Sequence, residues 1–419
     1  MAIERERLMR ERAFPRATMI VWAVVVIALL VAGAPFLFDR LMNGLGMADT
    51  TNRVPWGLWV VSYTWCSGLA GGLFLVSSLS YLFRIERFMP IARLALASSL
   101  IFLIVSMFLI GLDLGVLGNV AGTLLYFHWT SALSWEIKLY VVFAILVVAQ
   151  LVLVLRNGTR SVDHRGGKNL AIRVLAGIGV ALSFVGPPGG TGMFFAAVKA
   201  RGLWNDGVTA VLFYVVALAS AAAFLLAAHA LLARSRWRAP DGAAMRGLAV
   251  VLAIALGASA FVLYFQLAAP LLGGTAQSAQ AAQAIVAGSF ASLFWIGAVG
   301  LGFVLAGAFL IDALCSGRTA TAVAAGIAVM AGVFALRYTF VMAGFSVPLV
   351  EGLPVALYAP NFAEIMVVVF ALGMAVGLLG LAVRWLPLEV AAASEGMLEP
   401  EAAYPAAVSK EEAHDGAAA

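Results

Sequence analysis

The chain has 419 residues, of which 63% are hydrophobic and 11% charged, with a formal net charge of +5 and a mean hydropathy of +1.02. A soluble domain carries about 25% charged residues, so this composition excludes one and predicts an all-α polytopic membrane protein. The basic excess lies in short loops, where it reports topology and makes no face for nucleic acid.

Residues 1–16 hold five Arg and three Glu and read as a cytoplasmic N-terminal segment. The apolar run that follows is long enough to span, and no small-residue cleavage site ends it, so it reads as a first span. Ten such segments are predicted: 17–38, 55–83, 91–114, 134–156, 170–199, 207–233, 244–269, 284–313, 320–345 and 361–385. The fifth contains GPPGG at 186–190, which cannot continue a regular helix. Segments 2–5 and 6–9 read as two four-helix bundles, with the first and tenth flanking them. The membrane domain thus covers 17–386. An Ala- and Glu-rich tail, 387–419, reads as a disordered cytoplasmic extension.

With the N-terminus inside, twenty of the 26 Lys and Arg fall on the cytoplasmic side. The others are Arg40, Arg53, Lys138, Lys199, Arg201 and Arg337. This asymmetry predicts N-in, C-in and an even number of spans.

The second segment, Val54–Arg84, organises the rest. It has no charge from Pro55 to Phe83. It carries Trp56, Trp59 and Tyr63 at its outer end and a small-residue face from Ser67 through Gly68, Gly71 and Gly72. Such a face admits either a closely packed helix or a flat ligand. Near it in depth are Asp113, which closes segment 3, and His128 and Trp129 in the next loop. Trp135, Glu136, Lys138 and Tyr140 open segment 4. Glu136 and Tyr140 share a helix face at i,i+4.

Flat apolar walls with an imidazole and carboxylates suit a quinone, whose two-electron chemistry needs proton donors and acceptors. Other readings stand beside this one. The aromatic residues are also what an interface belt contains. His128 reads as structural at least as readily as catalytic, and Glu136 has Lys138 or Arg53 as candidate ion partners. Arg337-Tyr338 in segment 9 needs a counter-charge, for which Glu364 and Glu351 are at a suitable level. His229 and Asp312 at inner segment ends suit either a structural role or a proton path.

Four His exclude a bis-His haem b, since His164 and His414 are cytoplasmic and His128 and His229 lie at opposite faces. Cys66 and Cys315 make no CxxC, so no disulfide, iron–sulfur cluster or metal site is expected in this chain. Electrons for any quinone chemistry must therefore come from a partner.

Four blocks, VPWGLWVVSYTWCSGLAGGLF, SALSWEIKLY, GPPGGTGMFFAAVKARGLW and LRYTFVMAG, fall in order across 54–345. Together they resemble the NrfD/PsrC family of integral membrane subunits of respiratory complexes. Its ten-span members include subunits of alternative complex III, the Dsr complex and the menaquinone reductase (Qrc) complex, and length and tail favour the last. The resemblance implies a subunit of the bacterial inner membrane that binds menaquinone or another quinone near the periplasmic face. Its implied partner there is a four-cluster ferredoxin-like iron–sulfur protein, with a multihaem cytochrome c and a molybdopterin-type subunit beyond. It also implies Asp113, His128, Trp135 and Glu136 at the quinone, with Trp56 and Tyr63 as walls and Arg337-Tyr338 as the family's Arg-Tyr block. Many members have Gln after the Gly of that block, whereas Phe345 follows Gly344 here. A proton path through Lys138, His229, Asp312, Arg337, Tyr338 and Glu364 would make turnover electrogenic. A secondary transporter, using the broken segment, and a purely structural anchor are the alternatives. The polar groups crowd the outer face instead of the midplane, which favours the quinone reading.

Overall fold

The computed structural model describes residues 15–157, 168–236, 239–350, 353–355 and 358–388. The arginines up to Arg12, and Arg160, His164, Arg165, Arg238, Glu351, Lys410 and His414, lie outside the described residues, as does the tail from 389 onward.

Thirteen helices follow in order: α1 (Arg16–Asn43), α2 (Leu58–Tyr81), α3 (Met89–Asp113), α4 (Val120–Leu125), α5 (Ala132–Asn157), α6 (Lys168–Val185), α7 (Gly189–Ala196), α8 (Gly207–Ser235), α9 (Gly242–Gly273), α10 (Ala276–Val286), α11 (Leu293–Ser316), α12 (Thr319–Phe345) and α13 (Phe362–Trp385). Ten spans result, with α6 and α7 forming one broken span and α4 and α10 lying between spans. No strand occurs among the described residues.

The helix starts are written in the sequence. Asp206, Asp241 and Thr275 cap α8, α9 and α10 by accepting backbone N–H groups at the first turn, and Asn361 and Glu364 form a capping box on α13. The fifth span breaks where the Pro-Pro pair predicts. The eighth begins at Leu293, later than the apolar run does, because 276–286 closes as a separate helix and Phe290 N–H bonds back to Ala284 O. Residues Leu293–Leu305 of α11 are π-helical.

Arg384 near the end of α13 donates to Met19 Sδ near the start of α1, so both ends of the described chain share one face, here the near face. The far face carries the start of α2, the end of α3 and the start of α13.

The expected bundles are present. One comprises α2, α3, α5 and the α6–α7 span; the other comprises α8, α9, α11 and α12. They meet where α2 packs on α8 and α12, while α1 and α13 pair and lie against α3. Apolar helices gain little from mutual burial inside lipid, so close backbone approach carries their association. The small face of α2 does this. A Cβ on Gly71 would collide with the Pro187 carbonyl, and one on Gly72 with the Ala217 carbonyl. Gly68 is different, since its Cβ would have its nearest neighbours at 3.7 Å. The room expected for a flat ligand along Gly71 and Gly72 is therefore filled by the backbone of the broken span and of α8.

Candidate functional site

Most of the sequence-predicted residues fall into three groups. The first is a buried hydroxyl–carboxyl cluster. On α5 the residues Glu136, Tyr140, Phe143, Val147, Gln150 and Val154 recur at helical spacing, and all are buried. Glu136 is only 3% exposed. Its Oε1 accepts from the Tyr63 hydroxyl of α2 at 3.1 Å and from the Tyr140 hydroxyl at 3.0 Å. Tyr140 also lies 2.5 Å from Thr191 Oγ1, and Thr191 lies 3.0 Å from Ser67 Oγ. Ser67 in turn is 3.3 Å from Thr64 O. Glu136 Oε2 is buried without a hydrogen-bond partner.

This chain of hydroxyls has a chemical property that no single residue has. Each hydroxyl owns one proton and can be donor or acceptor. With Glu136 as a carboxylate, the hydrogens run Ser67→Thr191→Tyr140→Glu136, with Tyr63 donating from the other side. With Glu136 protonated, the same atoms support the reverse order, ending on the Thr64 carbonyl. The two orders differ by one proton and need no movement of heavy atoms.

Arg337 on α12 approaches this cluster at Gly68, its Nη2 lying 3.7 Å from where a Cβ on that glycine would sit. Its Cζ sits 3.5 Å from the Phe213 ring centroid, and its Nη2 donates to Phe213 O at 3.2 Å. Its Nε is buried without a hydrogen-bond partner. The expected pairing with Glu364 does not occur, because an aromatic face and a carbonyl of α8 hold the guanidinium instead.

The second group closes the far end of α1, α2, α3 and α13. Glu364 accepts from the Tyr358 hydroxyl at 2.6 Å and from the backbone N–H of Asn361 and Asp49 at 3.0 and 3.4 Å. Tyr358 also accepts Leu58 N–H at 2.8 Å. Burial and the neighbouring Glu364 carboxylate push the Tyr358 phenol up, so it remains a proton-bearing donor across ordinary pH. Arg40 is 1% exposed and donates to Leu112 O and Leu114 O at 2.8 and 2.6 Å, a cation on the C-terminal carbonyls of α3. Asp113 lies half-buried in the field of Arg40 and Glu364.

The third group is exposed. His128 lies on the α4–α5 loop with Nδ1 at 3.0 Å from Thr130 Oγ1. Trp135 packs on Phe127 and Trp129. Lys138 donates to Thr123 O at 2.6 Å and also to Tyr126 O, clamping this loop to α5. It does not pair with Glu136, which points into the bundle. Trp56 is half-buried in another set, stacked on Trp204 with rings 5.4 Å apart and flanked by Phe194, Phe195 and Phe345. At the near face, His229 Nε2 accepts Asp241 N–H at 3.1 Å, and Asp312 lies 3.8 Å from Arg318.

Sequence reasoning missed Thr191, Arg40 and Tyr358. Thr191 had a signal, a hydroxyl set directly after a helix break in apolar sequence. Arg40 had one too, a lone cation closing an apolar run. Tyr358, in the α12–α13 connection, had none. Cys66 is buried and Cys315 is exposed. Among the described residues no group of His, Cys, Asp or Glu is arranged to hold a metal ion.

Residues 46–348 match the family model described as polysulphide reductase, NrfD. The chain is 26% identical to a selenate reductase subunit of Mesobacillus selenatarsenatis over 85% of this chain and 92% of that protein. It is 28% identical to the Hdr-like menaquinol oxidoreductase integral membrane subunit of Archaeoglobus fulgidus, over 55% of this chain and 56% of the relative. A putative dimethyl sulfoxide reductase membrane subunit of Halobacterium salinarum is 28% identical, with 60% of each chain covered.

Proposed function

The chain belongs to the polysulphide reductase NrfD family, and on that premise we propose that it is the quinone-reactive membrane subunit of a respiratory oxidoreductase complex. In this reading it exchanges electrons between menaquinone, or a related quinone, and an iron–sulfur protein seated on the far face. The name of the Archaeoglobus relative, a menaquinol oxidoreductase subunit, supports the quinone class.

The observation that carries the reading is the buried Glu136 at the end of a reversible hydroxyl chain. A carboxyl group inside a span is costly and needs a reason. Bound quinone supplies two-electron chemistry that takes up or releases protons. The chain's residues fit that need: Glu136 has a free, buried Oε2, and Tyr63, Tyr140, Thr191 and Ser67 hold the other oxygen in either protonation order. Glu136 holds the proton, Tyr140 and Thr191 pass it, and the surrounding apolar residues keep bulk water out.

The lysine and arginine distribution supports a cytoplasmic near face and a periplasmic far face. The far-face loop exposes Leu125 (79%) and Trp129 (75%) beyond the span ends, which suits a docked protein. The iron–sulfur protein would sit there, with cytochrome c and molybdopterin-type subunits beyond it.

The test is quinol oxidation by the purified complex carrying Glu136→Gln. Loss of a positioned acid–base group lowers turnover by about 10²–10⁴-fold, with assembly and thermal stability retained. Wild-type turnover in Glu136→Gln would remove the basis of the reading.

A further inference from the structure

A quinone needs a place for its ring and its chain, and the backbone-filled face of α2 does not supply one. An apolar groove of about 540 Å³ lies elsewhere, between α11, α12 and α13, with Leu58 of α2 at its far end. Leu293, Gly297 and Leu301 line one side, one per turn of the wide π-helix, and Leu372 borders the other. From Ile365 to Leu372 the groove follows about 10 Å of α13. Among the described residues, Tyr338 at the far-face end is its one hydroxyl-bearing residue, and no Lys, Arg, Asp or Glu lines it.

That lining selects its occupant. A phospholipid headgroup would bring a phosphate to a wall without a cation. A long apolar chain ending in a neutral carbonyl would meet hydrocarbon throughout and one phenol at its tip. The Tyr338 hydroxyl is held by Tyr358 O at 3.3 Å, longer than a strong O–H···O bond, so a better acceptor can take it over. Its neighbour Arg337 reaches α2 beside Ser67, its Nη2 lying 3.7 Å from where a Cβ on Gly68 would sit, so the ring end of the groove and the hydroxyl chain border one turn of α12.

Resting on the function proposed above, we propose that this groove seats a polyprenyl quinone. The ring carbonyl lies at Tyr338, and the isoprenoid chain runs past Leu301 and Leu372 into the bilayer.

The complex in nanodiscs containing menaquinone-4 tests this. Retained quinone and phospholipid are measured after extraction, and thermal stability is followed in parallel. Ala331→Trp fills the groove from its lipid-facing side, and Leu372→Trp does so from its rim, where Leu372 is 50% exposed. Both are expected to lower retained menaquinone-4 several-fold at unchanged melting temperature. Tyr338→Phe weakens binding about 5-fold, the effect of one lost hydrogen bond. Wild-type retention in a folded Trp variant and in Tyr338→Phe overturns the groove while leaving the function standing. Loss of phospholipid with quinone unchanged makes the groove a lipid site and overturns it too. A wild-type complex that retains no menaquinone-4 overturns the function and the groove together.

Discussion

Thr191 on α7 stands 3.0 Å from Ser67 on α2, across the point where the fifth span breaks. The break brings this about. A helix continued through 186–190 would lack the N–H donors of Pro187 and Pro188 and would not turn the residue after GPPGG toward α2 in the same way. The close packing of Gly71 against Pro187 then holds the two hydroxyls in register.

Thr191→Val keeps shape and removes the hydroxyl that joins Ser67 to Tyr140. Quinol turnover is expected to fall about 10-fold or more, whereas Thr191→Ser, which restores the hydroxyl, recovers most of it. Rates for both variants, taken in H₂O and D₂O, check this. Equal rates for Val and Ser would mean that the hydroxyl only packs.

The two glycines of α2 separate packing from site. Gly71→Ala drives a Cβ into the Pro187 carbonyl, with a cost of about 1–3 kcal/mol typical of overpacking. Gly68→Ala meets nothing nearer than 3.7 Å. A thermal-shift series in detergent should therefore show Gly71→Ala unfolding well before wild type and Gly68→Ala unfolding with it.

Arg40 and Asp113 test the second group. Arg40→Met removes the cation that donates to the Leu112 and Leu114 carbonyls at the end of α3, costing about 1.5–3 kcal/mol for each hydrogen bond to a charged group. Asp113→Asn in the same chain should recover part of that loss. A double-mutant cycle on melting temperature measures the coupling, and strict additivity would show that the two do not interact.

How much of this was legible from the sequence depends on distance along the chain. The Glu136–Tyr140 face follows from i,i+4 spacing, and the ten spans follow from hydropathy. Span ends fix depth, which puts Tyr63 level with Glu136, and the two are hydrogen-bonded. What joins the helices sideways was not legible. Thr191, Arg40 and Tyr358 take their roles from partners 51, 72 and 6 or 300 residues away. His128 shows the converse: depth put it beside Glu136, but loop direction turned it outward. Arg337 has carboxylates at its depth in the sequence, yet a ring face and a carbonyl of α8 hold it and leave its Nε without a partner.

Gln150 lies 14 residues beyond Glu136 on the same face of α5, about 21 Å along the axis. Both its amide atoms are buried without hydrogen-bond partners, a condition that calls for bridging water. Gln150→Leu is expected to raise stability by about 1 kcal/mol by removing the unsatisfied groups. If water there carries protons from the near face to Glu136, turnover falls in the same variant. Stability and turnover measured together separate the outcomes, and a more stable, fully active Gln150→Leu would end the case for a route along α5.

The Pro187–Pro188 break also sets how this chain tolerates change in length. Connections between helices ordinarily absorb an added or lost residue, because nothing downstream depends on their phase. Here the eight-residue α7 begins directly after the break, and one residue inserted at 186–188 would rotate it by about 100°. Thr191 would then face away from Ser67 and Tyr140, and the hydroxyl chain would be cut with every side chain still present. A stretch that reads as a turn is therefore a spacer of fixed length.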